Sequence, residues 1–308
     1  MHMTLMIRDF TPADADAAAA AHRAGRSHLV LAAEVFSWFP GHLPAGQHYR
    51  TLVAELDGRV VGSIRCGLVT GTTTEGIAYA NGSVLPEYRR RGAFTALLAA
   101  AERHLAAHGA TEVHSWVDDV PEGLAFATTR GYQQGRLAHF ARRDLTTPLP
   151  PVPPLPPGVE LRTAAGYLGD PYPLFLVEAD ALRDEPGEVE YDKADYEDWL
   201  NSVWSRPDLD RELTLVAVLD GQPAAFSAAH TDGATRYWSA FTACRRDFRG
   251  RGLSTLAKTE SLHRARAAGL TEAFTSNDAT NAPMLAINER LGYERCAGER
   301  KFIKKLTL

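Results

Sequence analysis

Arg249-Gly250-Arg251-Gly252-Leu253-Ser254 is the stretch on which the fold turns. It follows an apolar run and opens an Ala/Leu-rich segment of helical character that stops at Gly269. An Arg/Gly-rich loop placed between a strand and a helix exposes backbone N–H groups at the positive end of the helix dipole, the arrangement that binds phosphate. Glycine there lets the backbone approach a ligand closely. The same hexapeptide pattern stands 160 residues earlier, as Arg89-Arg90-Arg91-Gly92-Ala93-Phe94, ahead of another helical segment that stops at Gly109.

The match extends outward from these loops. Ile7-Arg8 is answered by Leu161-Arg162, and Val53-Ala54-Glu55-Leu56-Asp57-Gly58 by Val216-Ala217-Val218-Leu219-Asp220-Gly221. Arg130-Gly131-Tyr132 is answered by Leu291-Gly292-Tyr293. Four landmarks in the same order, at offsets between 154 and 163, mark a tandem duplication. Each Asp-Gly pair closes an apolar run and predicts a two-residue hairpin turn.

Each half then reads as strand, helical region, hairpin, strand, helix, strand, helix, strand, an α/β unit with a mixed sheet. In the first half the hairpin is expected over 51–70, a strand over 77–85, a helix over 92–108 and a strand over 112–117. The second half gives strands over 213–219, 224–230, 237–243 and 272–276, with a helix over 252–268.

Between the halves, residues 146–158 hold seven prolines in thirteen positions, which excludes helix and central strand and favours extended polyproline II. The expected organisation is a domain over 1–145, a semi-rigid spacer over 146–158 and a second domain over 159–308.

Composition bounds the function. The 308 residues are 45% hydrophobic and 23% charged, ordinary for a globular protein. A net charge of −5 argues against a nucleic-acid-binding surface spread over the whole molecule. Three cysteines, Cys66, Cys244 and Cys296, lie far apart without CxxC spacing, and the histidines His42, His48, His230 and His263 are scattered, so neither a disulfide framework nor a metal site is expected. No apolar run is long enough to span a membrane, and the start MHMTLMIRDF lacks the pattern of a secretion signal, so a cytoplasmic location without membrane partners is expected.

The loop at 249–254 resembles the R-x-x-G-x-G/A pyrophosphate loop of the GNAT superfamily of acyl-CoA-dependent N-acetyltransferases. The run Asn281-Ala-Pro-Met284-Leu-Ala-Ile-Asn288-Glu-Arg-Leu291-Gly292-Tyr293 resembles the same superfamily's N-x-x-M-x-x-x-N-x-x-L-G-[FY] segment. The first half resembles it through Val84-Leu-Pro-Glu-Tyr-Arg89-Arg-Arg-Gly92 and Phe126-Ala-Thr-Thr-Arg-Gly131-Tyr132. The likeness is to tandem members, of the mycothiol-synthase kind of architecture, rather than to any one substrate specificity.

The resemblance implies two GNAT domains, each a twisted mixed sheet flanked by helices, with acetyl-CoA as co-substrate. It puts the CoA pyrophosphate on Arg249, Gly250, Arg251, Gly252, Leu253 and Ser254, and on Arg89, Arg90, Arg91, Gly92, Ala93 and Phe94. It puts the pantetheine arm near Thr242, Ala243 and Cys244, and near residues 82–84, ending at Val84. Both loops depart from the pattern at their last position. Ser254 is a small change, whereas Phe94 either hinders CoA or turns into the helix packing.

Asn277, Asn281 and Asn288 are expected to bind or position CoA, with Asn281 and Asn288 two helical turns apart on one face and Met284 between them. The first half has Val120 and Ala127 where the second has Asn281 and Asn288. Many superfamily members carry an acidic tyrosine four residues before the last glycine; here Asn288 and Ala127 stand there. Asn288 cannot donate a proton as an acid but can bond the thiolate, and Tyr237 and Tyr293 are the candidate substitutes. For the base, Glu178 leads an acidic stretch with Asp180, Asp184, Glu185, Glu188 and Glu190, which either lines an amine pocket or forms a solvated face. Glu34 and Trp38 occupy the analogous region of the first half.

The expected activity is acetyl transfer from acetyl-CoA to a primary amine of a small molecule, carried by the second half, with the first degenerate or structural. A non-catalytic acyl-CoA-binding module and a peptide or protein N-acetyltransferase are the alternatives. Two fused units mimic a dimer, so a monomer is expected.

Overall fold

The computed structural model describes residues 4–306; residues 1–3, on which part of the reading of the N-terminus falls, lie outside the described residues. In chain order the first ten elements are β1 (Leu5–Asp9), α1 (Ala15–Arg23), α2 (Glu34–Trp38), β2 (Arg50–Leu56), β3 (Arg59–Leu68), β4 (Ile77–Val84), α3 (Ala93–Ala107), β5 (Glu112–Asp118), α4 (Pro121–Thr128) and β6 (Gln133–Asp144). The remainder are β7 (Val159–Thr163), α5 (Tyr172–Leu182), α6 (Tyr196–Trp199), β8 (Leu215–Leu219), β9 (Gln222–Thr231), β10 (Arg236–Cys244), α7 (Leu253–Ala267), β11 (Glu272–Asp278), α8 (Ala282–Arg290) and β12 (Glu294–Lys305).

They pack as two compact units, residues 1–137 with 298–308 (unit 1) and residues 138–297 (unit 2). In unit 1, β1, β2, β3 and β4 form an antiparallel meander, β4 runs parallel to β5, and Glu299–Lys305 of β12 closes the sheet antiparallel to β5. In unit 2, β7, β8, β9 and β10 form the meander, β10 runs parallel to β11, and residues 138–144 of β6 close the sheet antiparallel to β11. Each half thus gives its last strand to the other unit. A division at the prolines, into 1–145 and 159–308, keeps those strands with their own halves; the compact units are cut inside β6 and β12 instead.

The two Asp-Gly turns form as their sequences dictate. Asp57 and Gly58 sit at φ +50° and +82°, Asp220 and Gly221 at +49° and +81°, both residues left-handed as a type I′ turn requires. The β8 strand, Leu-Val-Ala-Val-Leu, is buried at every position because both faces are covered. Val216 and Val218 pack with Leu174, Phe175 and Val177 of α5, while Ala217 and Leu219 pack with Leu253 and Leu256 of α7. In unit 1 the equivalent core joins Leu97, Ala101 and Leu105 of α3 to Ile64, Ala78 and Val113 of the sheet. Burial of each large aliphatic side chain contributes about 1.5–3 kcal/mol.

The proline-rich stretch corrects one expectation. Residues 146–158 form no regular element and belong wholly to unit 2, so they are not a spacer between compact bodies. Leu149 and Val152 pack on its core clusters, and His263 Nε2 of α7 lies 2.8 Å from the carbonyl of Pro150. The apolar side chains between the prolines find partners, and the polyproline backbone, without internal hydrogen bonds, leaves carbonyls free to accept. No helix among the described residues is long and apolar enough to cross a membrane.

Candidate active site

Parallel strands separate at the middle of each sheet. In unit 2, β10 and β11 pair only through residues 236–239 and 272–275, although β10 continues to Cys244 and β11 to Asp278. The register of β10 on β9 shifts between Ser239 and Phe241, which leaves Ala240 as a bulge where the pairing ends. A bulge re-aims the backbone groups around it and frees them from the ladder. In unit 1, β4 and β5 pair through residues 77–79 and 112–114 and then part, but β4 keeps an unbroken register on β3. There the gap is bridged: Trp116 N donates to Asn81 Oδ1 at 2.8 Å, and Ser115 Oγ donates to the carbonyl of Ala80 at 2.6 Å. Phe241 stands where Asn81 would be in unit 2 and offers no such acceptor.

Each gap opens toward an Arg/Gly loop. Gly252 precedes α7 at φ +76° and Gly92 precedes α3 at φ +83°, and no side chain caps either first turn. A Cβ built at Gly250, Gly252 or Gly92 would meet no atom within 4 Å, so the loop backbone faces open space. Uncapped N–H groups, a helix dipole and neighbouring arginines fit a pyrophosphate. Both loops share one backbone shape. Arg90 sits at φ +62°, left-handed, where unit 2 has Gly250 at +76°; a side chain there costs about 1–2 kcal/mol. Arg89 Nε donates to the carbonyl of Val84 at 3.3 Å, and Arg249 Nε to that of Cys244 at 3.2 Å, tying each loop to the strand before it. Phe94 turns into the packing beside Phe126, ring centroids 5.3 Å apart, and leaves the loop unobstructed. Ser254 Oγ reaches back to the carbonyl of Ala243 at 3.4 Å. Ala93 and Leu253 are buried core residues whose side chains are turned from the loop.

The asparagines divide. Asn281 is the N-cap of α8, its Oδ1 accepting from Met284 N at 3.3 Å, so its side chain satisfies the helix start instead of sharing a ligand-facing side with Asn288. Asn288 is buried; its Nδ2 donates to Asn277 Oδ1 at 2.6 Å, and its Oδ1 accepts from Lys258 Nζ at 2.7 Å. Lys258, on α7, has no exposed surface, and burial draws its pKa down to about 7. The sequence reading missed it. Its signal was position: Lys258 falls on the helical stripe of Ser261, Leu262 and Ala265, all buried, and aligns with Leu98 of the first half.

Tyr237 is fully buried and its hydroxyl pairs with Ser261 Oγ at 2.8 Å, within the paired part of β10, so it serves the core and does not face the gap. The Tyr293 hydroxyl is buried without a hydrogen-bond partner. Glu178, on α5, is half-buried beside Trp199, and burial pushes its carboxyl up to about 7. Around it stand Phe175, Trp199 and Tyr196, rings 5.3–6.1 Å apart. The rest of the acidic stretch is not one pocket. Asp180 Oδ2 accepts from Arg246 N at 2.8 Å, and Asp184 pairs with Arg246 at 2.6 Å and Arg249 at 2.7 Å, which hold its carboxyl well below the usual range.

In unit 1, Trp38 stacks on His42 at 4.4 Å, and Glu34 is exposed at the start of α2. One group of metal-ligand type forms among the described residues, His28, Asp118 and Glu299. Arg26 lies 2.7 Å from Asp118 and 3.9 Å from Glu299 and supplies a positive charge there.

Comparison with known proteins places these features. The sequence pattern of the acetyltransferase (GNAT) family matches the chain twice, over residues 19–132 and 176–293. No curated protein matches it by sequence. Among solved structures, a GCN5-related N-acetyltransferase from Sphaerobacter thermophilus superposes with a TM-score of 0.73 at 22% identity, covering 98% of this chain and 95% of that one. A tandem GNAT protein from the clavulanic acid biosynthesis pathway gives 0.74 at 22% identity over 98% of both chains. A putative acetyltransferase from Pyrococcus horikoshii gives 0.59 at 14% identity over 98% and 90%. At these identities the likeness is one of fold.

Proposed function

Since the chain belongs to the acetyltransferase (GNAT) family, we propose that its second unit transfers an acetyl group from acetyl-CoA to a primary amine of a small molecule, by direct attack in a ternary complex. The observation that carries this reading is the gap between β10 and β11, opened by the Ala240 bulge and leading to the uncapped start of α7. Unit 1 has the loop without the bulge, and Asn81 bridges its gap. Its role is structural.

The co-substrate supplies an activated thioester. The backbone N–H groups of residues 249–254 receive its pyrophosphate, and the ends of β10 at Thr242, Ala243 and Cys244 line the pantetheine. A backbone N–H freed at the bulge polarises the acetyl carbonyl as charge develops on oxygen. Glu178, with a carboxyl near neutrality, takes the proton that the attacking amine must lose, directly or through water. The amine nitrogen bonds to the acetyl carbon, the carbon–sulfur bond breaks, and the electron pair leaves on sulfur. Holding both reactants in one cleft provides most of the remaining acceleration.

Calorimetric titration of acetyl-CoA into the wild type, Gly252→Trp and Gly92→Trp tests this. The two glycines share nearly the same φ, so strain is matched and position alone differs. Binding lost with Gly252→Trp and kept with Gly92→Trp is expected, followed by an amine screen read by free-thiol release. The opposite pattern moves the site to unit 1, and no binding by the wild type overturns the reading.

A further inference from the structure

A lysine inside an apolar layer is costly unless paired, and Lys258 has no carboxylate partner among the described residues. Its ammonium meets Asn288 Oδ1 at 2.7 Å and Thr275 Oγ1 at 3.5 Å, with the Tyr293 ring centroid 5.2 Å away as the titratable group packed on it. An ammonium can only donate, so Asn288 must turn its oxygen inward and its N–H groups outward. Asn277 must then turn its own oxygen to Asn288, as the 2.6 Å bond shows, and keep its N–H groups for what lies beyond. Asn277 is only half-buried and stands two residues past Thr275, the last residue of β11 paired with β10. A buried charge therefore fixes the polarity of an amide chain that ends at the border of the gap.

We propose that Lys258 is a positioning residue for thiolate departure: its charge locks Asn288 and Asn277 so that amide N–H donors face the sulfur of CoA as the carbon–sulfur bond breaks. This rests on the acetyl-transfer reading above. The electron pair of the broken bond stays on sulfur, stabilised by those donors, and Lys258 keeps its proton, since an amide accepts a hydrogen bond without passing a proton along. A second observation agrees. In unit 1 the positions of Lys258, Asn277 and Asn288 are Leu98, Val117 and Ala127, so the three polar groups are missing together, in the unit whose gap is bridged. Burial that draws Lys258 down to about 7 also makes the lock weaken as pH rises above neutrality.

The test is the ultraviolet thiolate band of CoA bound to the full chain, followed against pH for wild type, Lys258→Met and Asn288→Ala. In the wild type, at and just below pH 7 where Lys258 carries its charge, the thiolate fraction of bound CoA should be about tenfold that of free CoA, a tenfold shift in the acid constant, and the excess should shrink as pH rises further. In both variants that shift should vanish, while acetyl-CoA affinity stays within about threefold and kcat falls by about 10–100-fold with little change in KM. Asn288→Ala leaves the lysine in place, and the wild-type titration needs no variant, so a misfolded Lys258→Met does not blunt the result. A wild-type thiol that titrates like free CoA, or a shift retained in Asn288→Ala, overturns the proposal. Failure of the wild type to bind CoA overturns the acetyltransferase reading and this one with it; binding with an unshifted thiol overturns this one alone.

Discussion

Two loops of one shape lead to gaps of different content. Residues 89–94 and 249–254 trace the same backbone, down to a left-handed residue at Arg90 and Gly250, each anchored by an arginine to the strand before it. Beyond them the units diverge. Unit 2 has a bulge at Ala240 and a buried lysine–asparagine chain, while unit 1 has a regular β4, a bridging Asn81 and apolar residues. A phosphate-binding shape is retained more readily than a reacting centre, because the loop also ends a strand and starts a core helix. Arg90 holds with a side chain, at a cost, the left-handed turn that Gly250 holds without one.

That contrast can be broken by experiment. The largest effect should come from Leu98→Lys, which buries an ammonium in unit 1 without the asparagines that receive Lys258. A destabilisation of about 3–5 kcal/mol is expected in urea unfolding; a loss under about 1 kcal/mol would mean that unit 1 accommodates the charge as unit 2 does. Next, Glu178→Gln should lower kcat by about 100-fold. Glu178 acts only when ionised, so wild-type activity should rise with pH through about 7, and that limb of the profile should be missing in the variant.

Lys258→Met should raise stability by about 1–4 kcal/mol. The folded-state pKa of about 7 lies below the unfolded value of 10.5, so the folded chain binds fewer protons between them and its stability rises with pH there. The gain is thus fullest below pH 7 and fades toward 10.5 in a pH series of unfolding curves. The smallest effect belongs to Arg90→Gly, which removes the left-handed strain but adds chain entropy, for a net change within about 0.5 kcal/mol. Gly250→Arg should instead cost about 1 kcal/mol or more of stability, seen as a lowered thermal midpoint.

Much of this was legible in the residues because it is local. The Asp-Gly turns need left-handed residues, the glycine stops end the helices, and the apolar runs before each Asp-Gly pair mark buried strands. The Arg/Gly loops announced themselves by repeating. What stayed hidden depends on distant partners. The last strand of either half satisfies the edge of either sheet equally well, so nothing in 133–144 or 294–305 says which it joins. Asn281 and Asn288 share a spacing but not a neighbour, and only the α8 start made one a cap. Lys258 was hidden by its type, since a lysine on a helix ordinarily faces water; alignment with Leu98 was the available clue. The Ala240 bulge leaves no mark in composition at all.

The exchange of β6 and β12 bears on how such a chain can be divided. A fragment beginning at residue 159 would carry its own β12 but lack β6, the strand that flanks β11 in the intact chain. The first half expressed alone would be in the mirror-image predicament. Two such fragments mixed together would restore the pairings of the intact chain, β6 on β11 and β12 on β5, so each half holds the strand that closes the other's sheet.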